Sequence, residues 1–280
     1  MPRINFLESI NDVANNFDAF IVDLWGVIHD GRELYPGVRE TLWDLRKKNK
    51  EIVFLSNAPR RAWRAEEGLT ALGITRDLYD EVITSGEAAF RHLTANPIGK
   101  AYYYIGPERD AGLLNDSPYV RVKMPEKADF AIVTGFDEDD SGLDEKMPEL
   151  EACRKAGLIF ICTNPDMEIV RQDGTRALCA GVMAKAYAEM GGEVRYFGKP
   201  HQEVYNHCFA ILKTKNKDKI AAIGDNLETD IKGANAAEIY SILVTGGVMG
   251  QEFGGTEAAK IEAICENHGI YPSAAVGAFR

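Results

Sequence analysis

Short runs of β-branched and aromatic residues alternate with amphipathic segments of helical length along this chain. The first such series comprises residues 19–23, 38–48, 51–56 and 60–72. This alternation is typical of βαβ units, which build a parallel sheet. It returns near the C-terminus in residues 194–197, 203–212, 219–223, 227–234, 240–244 and 256–267. Both ends of the chain are therefore predicted to form one doubly wound, Rossmann-like α/β layer.

The middle of the chain carries its own strand-like segments, at residues 101–105, 130–134 and 158–162, together with more loop signals such as Asn115-Asp116-Ser117-Pro118. This pattern predicts a second α/β unit inserted into the first. The predicted organisation is a core formed by residues 1–87 and 195–280, with an inserted cap domain at 88–194.

Composition excludes several classes of protein. The chain has 280 residues, which exceeds the usual domain size of about 100 to 150 residues, and its 45% hydrophobic content is sufficient for a substantial core. A net charge of −11 argues against nucleic acid and anionic membranes as partners. No apolar run has the length of a membrane span.

The cysteines indicate the compartment. All five are widely spaced and form no Cys-x-x-Cys pair, so the pattern favours neither a disulfide scaffold nor a zinc site. The N-terminus lacks a basic region followed by an apolar stretch, as a secretory leader would have. We therefore expect a cytoplasmic protein, and a homodimer is compatible with these features.

Polar residues follow four of the predicted strands. In an open parallel sheet, ligands bind outside the carboxyl ends of the strands, where loops and helix N-termini present polar groups. The residues in these positions are Asp23, Ser56 with Asn57, Lys199, and Asp225 with Asp230. Each one alone also fits a structural role: a turn at Asp23, a surface position for Lys199, and helix capping at Asn57 and Asp225.

The order of these residues, Asp, Ser, Lys and then paired Asp, resembles that of the haloacid dehalogenase-like hydrolases. The resemblance covers nearly the whole chain. Within that family the chain most resembles the class IIA branch, which contains predicted sugar phosphatases and nitrophenylphosphatase-like enzymes. The segments that carry this resemblance are Tyr35-Pro36-Gly37, Phe54-Leu55-Ser56-Asn57, Ile83-Thr84-Ser85-Gly86-Glu87, Thr163-Asn164-Pro165-Asp166, Gly198-Lys199-Pro200 and Gly224-Asp225-Asn226. Members of that branch have a Rossmann-like core and an inserted α/β cap.

The resemblance implies a role for each matching residue. Asp23 is the expected nucleophile that forms an aspartyl-phosphate, with Lys199 as its catalytic partner. The phosphoryl oxygens are expected on Ser56, Asn57 and Lys199. Magnesium is expected on the side chains of Asp23 and Asp225 and on the backbone carbonyl of Trp25, supported by Asp230. The implied activity is magnesium-dependent hydrolysis of small phosphate esters, such as sugar phosphates.

The chain departs from the family at Trp25. Phosphatases of the family carry a second Asp there, as general acid and base, and such assistance is typically worth about 10²- to 10⁴-fold in rate. A Trp side chain supplies no such proton. His29 and Asp30, in the loop after Asp23, are the nearest candidate surrogates, and the ordinary pKa of histidine makes His29 suited to proton transfer.

The sequence is compatible with three different functional consequences of Trp25. The enzyme either acts on esters with good leaving groups or uses another acid. Dehalogenase-type attack on carbon is a second reading, against which the retained Asp225 and Asp230 argue, because those relatives need no metal. The third is a catalytically impaired protein that binds a phosphorylated metabolite.

Substrate contacts from the inserted unit are expected near Asn164-Pro165-Asp166, Arg171 and Arg176. A plain turn and solvent-facing arginines explain the same residues equally well.

Overall fold

The computed structural model describes residues 3–137, 142–170, 175–246 and 257–280. The contacts within the chain divide it into two compact units. The first unit comprises Met1–Ser56, Ala65–Ile83 and Lys199–Arg280, and the second unit comprises Asn57–Arg64 and Thr84–Gly198. The domain bounds predicted from the sequence, with the insertion at 88–194, stay a proposal.

The first unit is built on a seven-stranded sheet. Its strands are β1 (Asn5–Leu7), β2 (Ala19–Val22), β3 (Glu51–Ser56), β4 (Glu81–Thr84), β12 (Ile220–Gly224), β13 (Tyr240–Val244) and β14 (Ala274–Val276), in the order β1-β14-β13-β12-β2-β3-β4. The central strands β2 and β12 are buried along their full length, which explains their continuous apolar sequences. They pair in parallel, as do β2 and β3.

The second unit contains a five-stranded parallel sheet and a separate antiparallel hairpin. The sheet strands are β5 (Ala101–Ile105), β6 (Val120–Val122), β7 (Phe130–Val133), β8 (Ile159–Cys162) and β11 (Val194–Tyr196), in the order β11-β8-β7-β5-β6. The hairpin consists of β9 (Glu168–Val170) and β10 (Arg176–Leu178). In the core of this unit the rings of Phe160 and Tyr187 stack with their centroids 3.6 Å apart.

Helices cover both faces of the parallel sheets, so the protein is of the α/β class. They are α1 (Val38–Lys47), α2 (Ala62–Ala71), α3 (Ser85–Ala95), α4 (Leu143–Lys155), α5 (Ala180–Glu189), α6 (Gln202–Ile211), α7 (Lys232–Ala236) and α8 (Ala258–His268). In α1 the side chains of Val38, Leu42 and Leu45 are buried at helical spacing, and the opposite face is polar. The amphipathic pattern therefore directs α1 onto the core of the first unit.

The predicted α/β class, with a Rossmann-like core and an inserted α/β cap, is confirmed. Two local predictions differ from the structure. Residues 227–234 were expected to form one helix, but Leu227–Ile231 is a π-helical turn that leads into α7. Strand β11 was expected in the C-terminal layer of the core, but it pairs in parallel with β8 of the second unit. Its residues Val194 and Tyr196 are partly buried there, because they pack against the hydrophobic core of that unit.

Candidate active site

The carboxyl ends of β2 and β12 define a crevice in the first unit. The two strands are neighbours, but the chain after β2 continues to β3 on one side and the chain after β12 continues to β13 on the other. Loops that leave in opposite directions create the ligand-binding crevice of an open α/β sheet. Asp23 follows β2 directly, and its N–H donates to the carbonyl of Ile223 at 2.9 Å, so it lies beside the end of β12.

Lys199 lies between two carboxylates. Its Nζ donates to Oδ1 of Asp23 at 2.6 Å and to Oδ1 of Asp230 at 2.7 Å. The three residues are 3% exposed for Lys199, 8% for Asp23 and 5% for Asp230, so these charges face protein rather than water. The predicted nucleophile, ammonium group and supporting acid are thus brought together from positions far apart in the chain.

The electrostatics of this group are dominated by burial. Burial raises the pKa of Asp23 to about 7, the ammonium of Lys199 opposes this, and the negative charge of Asp230 adds to it. Burial also acts to lower the pKa of Lys199, but its two carboxylate partners outweigh that effect and hold the pKa above its ordinary value. Lys199 is therefore an ammonium ion at neutral pH.

Asp225 completes an acidic cluster with Asp23 and Asp230. One carboxylate oxygen from each of the three lies within 4.8 Å of the others, and all three residues are buried. Oxygen ligands in such a cluster suit a hard divalent cation such as Mg²⁺. Ionisation of all three carboxylates beside one ammonium would leave an excess of buried negative charge, which is costly without a cation. The residues therefore fit a site for a divalent cation.

Asp230 is held by both of its oxygens. While Oδ1 accepts from Lys199, Oδ2 accepts from the N–H of Asn226 at 3.2 Å. Its side chain lies directly over Gly224, where an added Cβ would be 2.1 Å from the Asp230 Cγ. Only a glycine at the end of β12 leaves this space. The arrangement fits Asp230 as a group that positions Lys199 and the turn after β12.

Ser56 and Asn57, the predicted phosphate-binding residues, end strand β3 and begin the next loop. Ser56 is buried at the end of β3, which neighbours β2. Asn57 belongs to the second unit, where its Nδ2 donates to Oδ1 of Asp166 at 2.8 Å and its Oδ1 accepts from the hydroxyl of Ser85 at 3.3 Å. Their phosphate-binding roles stay predictions.

The loop after Asp23 carries Trp25 and His29. The indole ring of Trp25 covers Gly31, whose φ is +94° and where a Cβ would be 2.5 Å from the ring. His29 Nδ1 accepts from the N–H of Gly31 at 3.0 Å, so the neutral ring carries its proton on Nε2. Burial lowers the pKa of His29, which reduces the fraction of imidazolium that can donate a proton at neutral pH.

Tyr35 was not singled out by sequence reasoning as a site residue. Burial raises the pKa of Tyr35 to about 12, and the negative charges of Asp225 and Asp30 add to this effect. The N–H of Tyr35 donates to the carbonyl of Ile28 at 3.0 Å, so the loop after β2 folds back on itself. No periodicity in the sequence signals such a loop closure.

Two family models match the chain, and both describe the same superfamily. A haloacid dehalogenase-like hydrolase model matches residues 20–118, and a HAD-hydrolase-like model matches residues 196–268. Together the two segments cover more than half of the chain.

Curated relatives of the chain are phosphatases. Phosphoglycolate phosphatase 2 of Arabidopsis thaliana is 28% identical over 271 residues, covering 89% of this chain and 90% of the relative. Acid sugar phosphatase of Staphylococcus saprophyticus is 26% identical over 238 residues, covering 85% of this chain and 90% of the relative.

Solved structures share the fold over most of the chain. A haloacid dehalogenase-like hydrolase from Brucella suis has a TM-score of 0.85 at 27% identity, covering 98% of this chain and 100% of that one. The glycerol phosphate phosphatase of Mycobacterium tuberculosis, in complex with magnesium, has a TM-score of 0.67 at 25% identity, covering 86% of this chain and 71% of that one.

The fold is a Rossmann-like α/β core with a cluster of buried carboxylates at the switch point of its sheet. The chain belongs to the haloacid dehalogenase-like hydrolases, as a phosphatase of their class IIA branch.

Proposed function

We propose that this chain hydrolyses phosphate monoesters of small metabolites, of the sugar- or glycerol-phosphate kind, through an aspartyl-phosphate at Asp23 and with Mg²⁺. The observation that carries the proposal is the buried bridge from Asp23 through Lys199 to Asp230, with Asp225 completing the acidic cluster. The names of the relatives, a phosphoglycolate phosphatase and an acid sugar phosphatase, support this substrate range.

The first step is attack by a carboxylate oxygen of Asp23 on phosphorus, with cleavage of the ester P–O bond and departure of the alcohol oxygen. The ammonium of Lys199 and the hydroxyl of Ser56 donate to the phosphoryl oxygens. In the second step water attacks phosphorus, which releases inorganic phosphate and restores the Asp23 carboxylate. Asp23, Asp225 and the Trp25 carbonyl would hold Mg²⁺, which would offset the repulsion between carboxylate and phosphate.

The departing oxygen must gain a proton unless it is a stable anion. Trp25 supplies none, and burial lowers the pKa of His29, so little imidazolium is present at neutral pH. We therefore propose that the enzyme hydrolyses alkyl esters such as sugar and glycerol phosphates slowly, and esters with more acidic leaving groups faster. A protonated His29 is the alternative acid, and its contribution would grow as pH falls.

The first test is turnover of p-nitrophenyl phosphate with magnesium, after EDTA treatment, and after magnesium is restored. Turnover should require the metal, and Asp23→Asn should reduce kcat by about 10³-fold or more, because the nucleophile is lost. Asp44→Asn is the matched control, since Asp44 lies on the exposed face of α1 and should change nothing. Equal turnover in the Asp23 variant would contradict the proposal.

The assembly and compartment are separate proposals. We propose a cytoplasmic enzyme, which is supported by five free, buried cysteines, and a homodimer that light scattering would test. None of the helices in residues 3–137, 142–170, 175–246 and 257–280 combines the length and apolar character needed to cross a bilayer.

A further inference from the structure

Tyr205 links helix α6 to the acidic cluster of the first unit. It is 1% exposed, and its hydroxyl donates to the backbone carbonyl of Asp230 at 3.2 Å. Burial raises the pKa of Tyr205 well above its ordinary value, so the phenol keeps its proton and acts as a hydrogen-bond donor. The side chain of Asp230 accepts from Lys199. The hydroxyl of Tyr205 therefore contacts the backbone of a residue that forms the charged bridge.

The ring of Tyr205 lies against Gly233 in α7. A Cβ added at Gly233 would be 2.6 Å from the Tyr205 Oη and 2.7 Å from its Cε2. The φ of Gly233 is not positive, so its backbone conformation would accept other residues. Glycine is also unfavourable inside a helix. Space for the Tyr205 ring explains this glycine, because a side chain at that position would displace the ring.

The backbone around Asp230 has an irregular hydrogen-bond register. The N–H groups of Asp230 and Ile231 both donate to the carbonyl of Asn226, at 3.0 and 3.2 Å. The bond from Ile231 belongs to the wider spacing of the π-helical turn. Helices depart from their regular ladder at such turns and where a side chain inserts into the ladder. Both features are present here, since the Tyr205 hydroxyl binds a carbonyl of this turn.

Asp230 is held through its backbone and its side chain. Its N–H donates to Asn226, and its carbonyl accepts from Tyr205. Its Oδ1 accepts from Lys199, and its Oδ2 accepts from the N–H of Asn226. The bond from Tyr205 ties this turn to α6, the helix that follows Lys199 in the chain. Tyr205 thus connects the two segments whose side chains meet at the bridge.

We propose that Tyr205 is a positioning residue: its hydroxyl fixes the backbone of Asp230, so that the carboxylate of Asp230 faces the ammonium of Lys199. Without the hydroxyl, the carboxylate turns away from Lys199 for part of the time, and Lys199 is less well aligned with the phosphoryl group. The inference rests on the proposed function, because it concerns the ammonium that is proposed to bind the phosphoryl oxygens.

Contacts from the inserted unit do not enter this inference. Among the residues for which the sequence predicted substrate contacts, Arg171 lies outside the described residues. Arg176 is largely exposed and pairs with Glu168 on the hairpin, which agrees with a solvent-facing arginine.

Steady-state kinetics of Tyr205→Phe, with p-nitrophenyl phosphate and magnesium, tests the proposal. The kcat should fall by about tenfold, the effect of one hydrogen bond to a buried group, while KM changes little. This split is expected because the alignment of Lys199 matters more in the transition state than in the bound substrate. A kcat in Tyr205→Phe equal to that of the wild type would overturn the proposal.

Tyr187→Phe is the matched control. Tyr187 is also 1% exposed, and its hydroxyl also donates to a backbone carbonyl, that of Leu158 at 2.6 Å. Its ring also lies against a glycine, since a Cβ added at Gly192 would be 2.1 Å from the Tyr187 ring. This variant should lose stability and keep its kcat. An equal loss of kcat in both variants would mean that general destabilisation explains the effect, and the positioning role would be refuted.

A double-mutant cycle shows whether Tyr205 acts through Asp230. In Asp230→Asn the partner of Lys199 has lost its charge, so the added Tyr205→Phe change should lower kcat by less than about twofold. The same loss from Tyr205→Phe in both backgrounds would mean that the hydroxyl acts elsewhere, which would contradict the proposal.

A measurement without turnover separates this inference from the proposed function. Burial and two carboxylate partners should protect the ammonium protons of Lys199 from exchange with water. Nitrogen NMR of the isotopically labelled, metal-free protein measures this exchange, and Lys199→Arg assigns the signal. Tyr205→Phe should speed the exchange by about tenfold, whereas Tyr187→Phe should leave it unchanged.

The two readouts then give distinct outcomes. An exchange rate in Tyr205→Phe equal to that of the wild type would sink the inference, even where the wild type hydrolyses phosphate esters. Absence of turnover in the wild type would contradict the proposed function, and the exchange rate would then decide by itself whether Tyr205 positions Asp230 against Lys199.

Discussion

Lys199 sets the charge balance of the active site at the scale of single residues. A buried ammonium would lose its proton without partners, but two carboxylates at hydrogen-bonding distance keep it charged. In return it stabilises the ionised form of Asp23, against a burial effect that raises the pKa of that carboxyl to about 7. The carboxyl of Asp23, the proposed nucleophile, is thus divided between its neutral and ionised forms near neutral pH.

Magnesium binding is therefore expected to release a proton. Asp23 must be ionised to hold the metal, and its pKa without metal is about 7. Below about pH 7 the proton competes, so magnesium affinity should fall by about tenfold per pH unit, while above it affinity should level off. Calorimetry in buffers of different ionisation enthalpy measures the protons released.

The raised pKa of Asp23 also determines how the stability of the metal-free protein changes with pH. A raised pKa means that the metal-free fold is favoured by protonated Asp23 at low pH and loses this contribution as pH rises through about 7. Added magnesium should restore stability on the alkaline side. Asp23→Asn removes the titrating group, and the same proton release in this variant would show that another residue is responsible.

Trp25 is expected to limit the reaction toward poor leaving groups. Trp25→Asp introduces an acid at the family position, and hydrolysis of alkyl phosphates such as glycerol phosphate should rise by up to about 10²- to 10⁴-fold. Turnover of p-nitrophenyl phosphate should change far less, because its leaving group needs no proton. Trp25→Asn is the matched control without an acid, and an equal gain in that variant would point to relief of steric hindrance.

At the scale of elements, the turn after β12 organises the acidic cluster. Asn226 caps the π-helical turn, because its Oδ1 accepts from the N–H groups of Glu228 and Thr229 at 2.9 and 3.3 Å. The turn then carries Asp230 back over Gly224 toward Lys199. Local departures from the α-helix are common at functional sites, where they redirect a side chain.

Gly224→Ala should disturb this turn. Its Cβ would lie 2.1 Å from the Asp230 Cγ, so the carboxylate must move away from Lys199. We expect the free energy of unfolding to fall by about 1–3 kcal/mol, as for other overpacked sites, and magnesium affinity to fall as well. Denaturant unfolding and calorimetry measure the two effects.

Gly68→Ala is the control for that substitution. Gly68 lies within α2, where an added Cβ meets nothing within 4 Å, so this change should raise the free energy of unfolding by about 0.5–1 kcal/mol. If Gly224→Ala had the same free energy of unfolding and the same magnesium affinity as the wild type, neither property would depend on the observed position of Asp230.

At the scale of the whole molecule, the same topological rule operates in both units. Each parallel sheet contains one point where successive connections leave in opposite directions, and each such point carries charged residues. In the first unit these residues come from β2, β12 and the Lys199 loop, and in the second they come from the loops after β5 and β7. Parallel strands present their carboxyl ends at one edge, so residues distant in sequence converge there.

Much of this architecture was predictable from local pattern. Strands 51–56 and 240–244 match the structure residue for residue, because parallel strands that are buried over most of their length are mainly apolar runs. The three-residue strands β1, β6 and β14 were not predicted, because such short segments carry no readable periodicity. Their strand character comes from pairing with neighbours that are remote in the chain.

The sequence by itself determined the α/β class, the order of the long strands and helices, and the residue types available at the strand ends, because these follow from hydrophobic periodicity and side-chain chemistry. Only the tertiary structure decided that Lys199 bridges Asp23 and Asp230 and that β11 joins the second sheet. These ion pairs and this strand pairing form between segments that are distant in the chain. Their strength depends on burial, which a local stretch of sequence does not reveal.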